Sequence, residues 1–494
     1  MHIFDLPLEM FRAILAQTLP TRHKSHITQM QLVNSETSPP VVNLNGLLTQ
    51  LEEIFAREVL GVLFTTRKWR LLQTWEPSAY SYLCYRALAP DAHVYYPVRT
   101  VRQTTDWIVA QLSAEDCRKE ICRSLSCSAV SQRPRRHGRE LLGDTLHDSS
   151  IERSALSDRK NGLDQDSNAL VHRFSAAACI GDLALVQTLL DKGVDVNGRS
   201  DVFDTALVNA ARWGHLPVVN LLLANGADLH RDVIHEVGRK IEDEFDEGID
   251  FVSWFVRSPE QCHALEAAAI GGHEDIISLL LEPRLNLARS SCTFFHALIG
   301  AAGGGSIKAL RMLLDTADFD AVDTRWKEQV LAQSLKKASI AGHLECMGLL
   351  IDAGASLDYN FEAEGQNPPL FFAAKAGQNK AIELLLERGA DINLSRLARD
   401  HPLSAAAGSG YPRTVSLLLD RGAGFNSNGD HIALLLYRCR VQACALKVVL
   451  ERGYHKQNPA SATRGLEVAK REKRWDLVAI FRQHGVTVRK KTSG

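Results

Sequence analysis

The chain has 494 residues, of which 45% are hydrophobic and 23% charged. Those are the proportions of a folded globular protein, and they exclude wholesale disorder. Its 57 basic residues face 58 acidic ones, for a net charge of −1, so the basic bias that accompanies non-specific nucleic-acid binding is absent. No apolar run reaches the roughly 18–20 residues of a membrane span. Asp5 and Glu9 stand where a signal peptide would carry cations. Ten cysteines in a chain of this kind read as reduced thiols, and the expected setting is cytoplasmic, nuclear or both.

The first segment, MHIFDLPLEMFRAILAQ, predicts a helix. Asp5 can cap it, and Pro7 is tolerated in a first turn. Leu6, Met10, Phe11, Ile14 and Leu15 then fall on one apolar stripe. Residues 35–54 contain Pro39-Pro40 and show no helical stripe before Leu47. They read as an inserted loop or retained intron sequence. An aromatic-rich stretch over 69–96 and a helix pair over 98–130 complete an N-terminal helical domain, 1–130. Residues 131–168 are polar, charged and poor in apolar residues, which predicts a linker.

From 169 the chain repeats itself. AACIGDLALVQTLLDKGVDVN at 177–197 returns as AARWGHLPVVNLLLANGADLH at 210–230, and variants follow to 426. Their pivot glycines are Gly181, Gly214, Gly272, Gly305, Gly342, Gly377 and Gly410. Two weaker units carry Val441 and Lys473 at the pivot. Alanine pairs before the pivot let a first helix pack closely, and glycine suits a left-handed turn. The leucine triplet, such as Leu384-Leu385-Leu386, gives a second helix an apolar face that needs a neighbouring unit to cover it. About 25 extra residues lie between the second and third units. This insertion, at about 231–256, includes the acidic EVGRKIEDEFDEGIDFVSWF. A basic tail, 488–494, ends the chain.

The recurring A-A-x-x-G-H and L-L-L-x-x-G-A-D phrases resemble the ankyrin repeat family over about residues 170–487. The resemblance implies an all-α solenoid of about eight or nine helix–turn–helix units, preceded by the small helical domain. The family's T-P-L-H turn survives only in fragments, at Thr205-Ala206-Leu207, Pro369-Leu370-Phe371 and Pro402-Leu403-Ser404. The N-terminal L-P-x-E-M-x-x-x-I-L resembles the opening of an F-box. An F-box-like start ahead of ankyrin repeats is similar to a fungal arrangement. That resemblance implies that Leu6, Pro7, Met10, Ile14 and Leu15 would dock a Skp-type adaptor of a ubiquitin ligase. The same stripe could equally be packed inside 1–112.

Chemistry finds no foothold. Cys117, Cys122 and Cys127 are five apart, which fits neither C-x-x-C nor a zinc pattern. Gly300–Lys308 lacks phosphate-loop spacing and aligns with a repeat turn. His215, His273 and His343 each follow a pivot glycine, which suits turn stabilisation rather than catalysis. No catalytic constellation, cofactor or metal is expected, and the function is expected to be protein–protein recognition. Arg212-Trp213, just before a pivot, carries the residue types enriched at binding hot spots. The alternative is that Trp213 packs under the insertion. Lys375, also before a pivot, and the finger residues Asp201, Phe203, Glu362, Glu364, Arg396, Arg399 and Asp400 are further groove candidates. The function expected is target recognition for a ubiquitin ligase, with a plain ankyrin scaffold or regulator as the alternative.

Overall fold

The computed structural model describes residues 83–84, 87–88, 96–131, 165–200, 202–229, 263–322, 324–358, 367–394, 401–423, 443–457 and 459–487. The chain divides into two compact units, Met1–Gly248 with Phe255–Ala264, and Ile249–Trp254 with Leu265–Gly494. The expected insertion at 231–256, most of the linker and the basic tail lie outside the described residues, as does the F-box-like segment with residues 35–54.

In the first unit, helix α1 (Tyr96–Leu112) and helix α2 (Arg118–Ser131) pack on each other and on α3 (Gln165–Ile180). Helix α4 (Leu183–Asp191) follows α3 across the Gly181 turn, and Asp182 caps it by accepting from the Leu185 amide at 2.8 Å. The chain then turns through a two-stranded antiparallel ladder, β1 (Arg199–Ser200) with β2 (Asp204–Thr205). Helices α5 (Ala206–Trp213) and α6 (Leu216–Ala224) form the second repeat. Thr205, the remnant of the T-P-L-H turn, caps α5 through its hydroxyl, which accepts from the Val208 amide.

The second unit continues the alternation of inner and outer helices. Its pairs are α7 (Ala264–Gly271) with α8 (Glu274–Leu280), α9 (Cys292–Gly304) with α10 (Ile307–Thr316), and α11 (Thr324–Ala341) with α12 (Leu344–Asp352). Next come α13 (Pro369–Ala376) with α14 (Asn379–Glu387), and α15 (Pro402–Ser409) with α16 (Pro412–Asp420). Helices α17 (Ala443–Glu451), α18 (Tyr454–Gln457), α19 (Pro459–Arg471) and α20 (Trp475–Gln483) close the series. The residue eight positions after each pivot is 0–1% exposed throughout: Leu189, Leu222, Leu280, Leu313, Leu350, Leu385, Leu418, Val449 and Phe481. One leucine of each triplet is thus the core anchor of its repeat, and the two beside it are less buried.

The pivot turns show why the repeats stack. Seven pivot glycines, from Gly181 to Gly410, have φ between 73° and 82°. At five of them the first residue of the next outer helix's cap presses onto the missing side chain. A Cβ on Gly181 would lie 2.3 Å from the His215 ring, and one on Gly377 would lie 2.7 Å from Tyr411. Gly272 meets Ser306, Gly305 meets His343 and Gly342 meets Gln378 in the same way. His215 Nε2 donates to the Cys179 carbonyl at 3.0 Å, His343 Nε2 to Gly303 at 3.2 Å, and Gln378 Nε2 to Ile340 at 3.2 Å. His215 and His343 therefore stabilise more than their own turns: each bonds the preceding repeat. Lys473 takes the last pivot at φ 55°, a conformation that costs a non-glycine residue about 1–2 kcal/mol.

Repeats four and five depart from the short inner helix. Helix α11 runs for 18 residues because TRWKEQVLAQSLKKASIA contains no breaker and is rich in strong helix formers. No T-P-L-H turn precedes it, so the helix extends where a finger would begin. Helix α9 carries Gly300 and Gly304 one helical turn apart. A Cβ on Gly304 would sit 2.2 Å from the Ile270 carbonyl oxygen, and one on Gly300 would touch Ile270 and Glu266. The glycine-rich run thus serves close helix approach. His401 replaces the turn threonine and caps α15, its Nδ1 accepting from the Leu403 amide at 3.3 Å.

These contacts separate two costs. Gly389 also has positive φ, at 95°, but a Cβ there meets nothing within 4 Å. Gly389→Ala should cost about 1–2 kcal/mol of stability from backbone strain alone, whereas Gly377→Ala should cost distinctly more because Tyr411 must move. Chemical denaturation of the two variants checks this. Equal losses would show that the Tyr411 contact contributes nothing.

Candidate functional site

The ends of the inner helices, just before each pivot, are where the repeats were expected to offer a binding face. In the first unit that face is covered. Cys179 and Phe203 belong to one buried cluster with Val101, Ile108, Cys122 and Leu125 of α1 and α2, and Ile180 and Trp213 pack against it. Arg173 of α3 places its guanidinium 5.2 Å from the centre of the Trp107 ring on α1. Ser128 of α2 donates its hydroxyl proton to Asn209 Oδ1 of α5 at 2.5 Å in a buried setting. The Asn209 amide in turn donates to the Phe203 and Thr205 carbonyls.

This corrects two expectations. Trp213 does not stand open in a groove: it is half-buried against the N-terminal helices, and the insertion expected beside it lies outside the described residues. Its indole Nε1 is buried with no hydrogen-bond partner among the described residues, a cost accepted for the packing of the ring. Phe203 is fully buried, because the finger folds inward. The Ser200 hydroxyl accepts from the Phe203 amide at 2.8 Å, and Arg199 pairs with Asp204 at 3.2 Å. His172 meets the Phe203 ring edge-on. Arg212 is half-buried near the Cys179 thiol. That thiol is pushed up to about 12, chiefly by burial and then by Cys127, against the smaller opposing effects of Ser128 and Arg212.

In the second unit some residues at the corresponding positions reach the surface. Lys375, one of the expected candidates, is exposed. Near it Lys336 places its ammonium 4.6 Å from the centre of the half-buried Phe372 ring. Lys337 extends past Gly303, and Ile340, at 36% exposure, is an apolar side chain at the surface. Sequence reasoning picked Lys375 and missed Lys336 and Phe372. For Phe372 the signal was periodicity: like Lys337, it stands five residues before a pivot glycine. Asp201, Arg396, Arg399 and Asp400 lie outside the described residues, with Leu6, Pro7, Met10, Ile14 and Leu15. Among the described residues, no group of three His, Cys, Asp or Glu could hold a metal ion. No helix among them is long and apolar enough to cross a membrane.

The covering of the first unit has a measurable consequence. Trp213→Ala should destabilise the protein by roughly 2–3 kcal/mol, a share of what a buried tryptophan loses on truncation. Thermal melting of the variant checks it, and an unchanged melting temperature would return Trp213 to the binding surface.

A family profile for ankyrin repeats, in three copies, matches residues 158–232 and 332–396. The ankyrin repeat and KH domain-containing protein mask-1 of Caenorhabditis elegans is 26% identical over 225 residues, which is 44% of this chain and 8% of that protein. The probable E3 ubiquitin-protein ligase XBOS32 of Oryza sativa subsp. japonica is 26% identical over 233 residues, 44% of this chain and 41% of its own. The chain spans less than half the length of these curated relatives. The crystal structure of the human ASB11 ankyrin repeat domain aligns at 23% identity over 56% of this chain and 96% of its own, with a TM-score of 0.30. The segments matched, 158–232 and 332–396, are ankyrin repeats, and the helix pairs beyond them show the same pivot glycines and buried leucines.

Proposed function

We propose that this chain is a protein–protein interaction module, a non-enzymatic recognition subunit whose second unit holds the target, as its ankyrin repeats suit. The observation that carries this reading lies on the inner helices α11 and α13, where Lys336 sits over the Phe372 ring and Lys375 and Ile340 are exposed. Cationic side chains together with exposed apolar ones suit a partner segment with acidic residues around an apolar anchor.

In its more specific form the proposal is a substrate-recognition subunit of a ubiquitin ligase. The Leu6-Pro7, Met10 and Ile14-Leu15 stripe would hold a Skp-type adaptor, and the repeats would hold the substrate. The stripe's resemblance to an F-box supports this, and the rice relative's being named a probable E3 ubiquitin-protein ligase is compatible with it. The packing of α1 and α2 on the first repeat favours the alternative as well, a scaffold whose N-terminal helices cap the array.

Pull-down of a purified Skp-type adaptor separates the two forms. Ile14→Asp with Leu15→Asp would bury two unpaired charges at the contact, so the variant should lose the adaptor while its repeats stay folded. Failure of the unaltered chain to capture the adaptor at micromolar concentration would leave the scaffold form. On the repeat face, Lys337→Glu with Lys375→Glu should weaken a target identified by cross-linking at least tenfold, with little change in melting temperature. Undiminished binding by that variant would move the target elsewhere.

A further inference from the structure

The last two repeats meet through a pair of imidazoles. His455 lies in α18, and His484 is the C-cap of α20. Their ring centres are 5.9 Å apart with the planes at 71°, and both residues are half-buried. His484 Nδ1 donates to the Ile480 carbonyl at 2.9 Å. His455 Nδ1 is buried and has no hydrogen-bond partner among the described residues. Helices α17 and α20 pack on each other, and their anchors Val449 and Phe481 are fully buried.

We propose that His455 and His484 form a proton-sensitive latch on the C-terminal helix pair. With His455 neutral, α19 and α20 stay docked on α17 and α18. With His455 protonated they loosen, while the preceding repeats stay folded. The inference is independent of the recognition reading and concerns two residues that reading leaves unused.

An imidazolium carries an N–H on both ring nitrogens. Protonating His455 therefore places a donor at the buried Nδ1, where it finds no acceptor among the described residues. The added charge also faces the second ring across the contact and Lys456 on its own helix. The carboxylates of the surrounding elements do not offset it. Glu451 is turned to Lys447 at 3.7 Å, Glu472 to Arg471 at 3.7 Å and Asp476 to Arg474 at 2.8 Å, and Glu467 is exposed. Arg452 pairs with Asp420 of α16. Arg464, Lys470 and Arg482 on α19 and α20 are cations and add no support for a further positive charge. Burial, then His484 and Lys456, hold the His455 ring below its ordinary titration range, against a weaker opposing effect of the Leu450 carbonyl. The unfolded chain takes up this proton near pH 6.5, the ordinary value, and the folded repeat takes it up only at lower pH. Stability from this contact is thus fully present above that value and is lost as the pH falls below it. A terminal repeat has a neighbour on one side only, so the loss appears there as local opening.

The test is amide exchange read by mass spectrometry on the full chain, at about pH 7.5 and about pH 5.5, a span across which histidine changes charge. Helix α14 in the same digest is the reference, since its cap is Gln378 and its neighbour across the turn is Tyr411. The ratio of the two helices cancels the intrinsic pH dependence of exchange. Protection of α20 should fall severalfold relative to α14 at the lower pH. His455→Phe keeps a ring that cannot take a proton, and should leave the ratio unchanged between the two conditions. His455→Gln, polar but uncharged, does the same where phenylalanine disturbs the packing. A constant ratio in the unaltered chain would overturn the proposal, and so would a fall that persists in either folded variant.

Discussion

At five turns among the described residues, a glycine with φ above 70° lies directly beneath the side chain that opens the next repeat's outer helix. The position is constrained twice. The left-handed backbone disfavours any side chain, and the space a Cβ would occupy is already filled by His215, Ser306, His343, Gln378 or Tyr411. The same side chains, where they carry a ring or amide N–H, donate across the junction to a carbonyl of the preceding inner helix. Each turn is thereby coupled to its neighbour, and the buried leucine eight residues later completes the contact from the other side. Stability in such an array is a sum of junctions, so these small contacts decide whether the inner-helix faces are held in register.

That register has different outcomes in the two units. In the first, α1 and α2 lie over the inner helices, and a polar chain from Ser128 through Asn209 to the backbone of the β1–β2 turn runs through the contact. A buried network of this kind specifies one arrangement, because shifting either helix would leave an amide and a hydroxyl unpaired. In the second unit the long helix α11 replaces a finger, and its Lys336 sits over the Phe372 ring while its Ile340 is exposed. Exposed ion pairs such as Arg388 with Asp352 and Arg421 with Glu383 link successive repeats. They add little energy individually, and the junction contacts carry the stacking.

Composition and spacing alone determined that the chain is a repeat protein, where its turns fall and which leucines are core, since each of those is a local demand repeated at a fixed interval. Gly377 and Leu385 could be placed from the period without knowing what surrounds them. Tertiary structure decided the rest. Trp213 and Phe203 look like surface candidates in a string of letters, yet both pack on helices that begin more than 70 residues earlier in the chain, and no local pattern records such a long-range contact. The pairing of Lys336 with Phe372 likewise joins two helices more than 30 residues apart in the chain. Burial depends on what the rest of the chain brings alongside, whereas the repeat depends on each unit's own backbone. The fold was therefore legible in the sequence and the site was legible only in part.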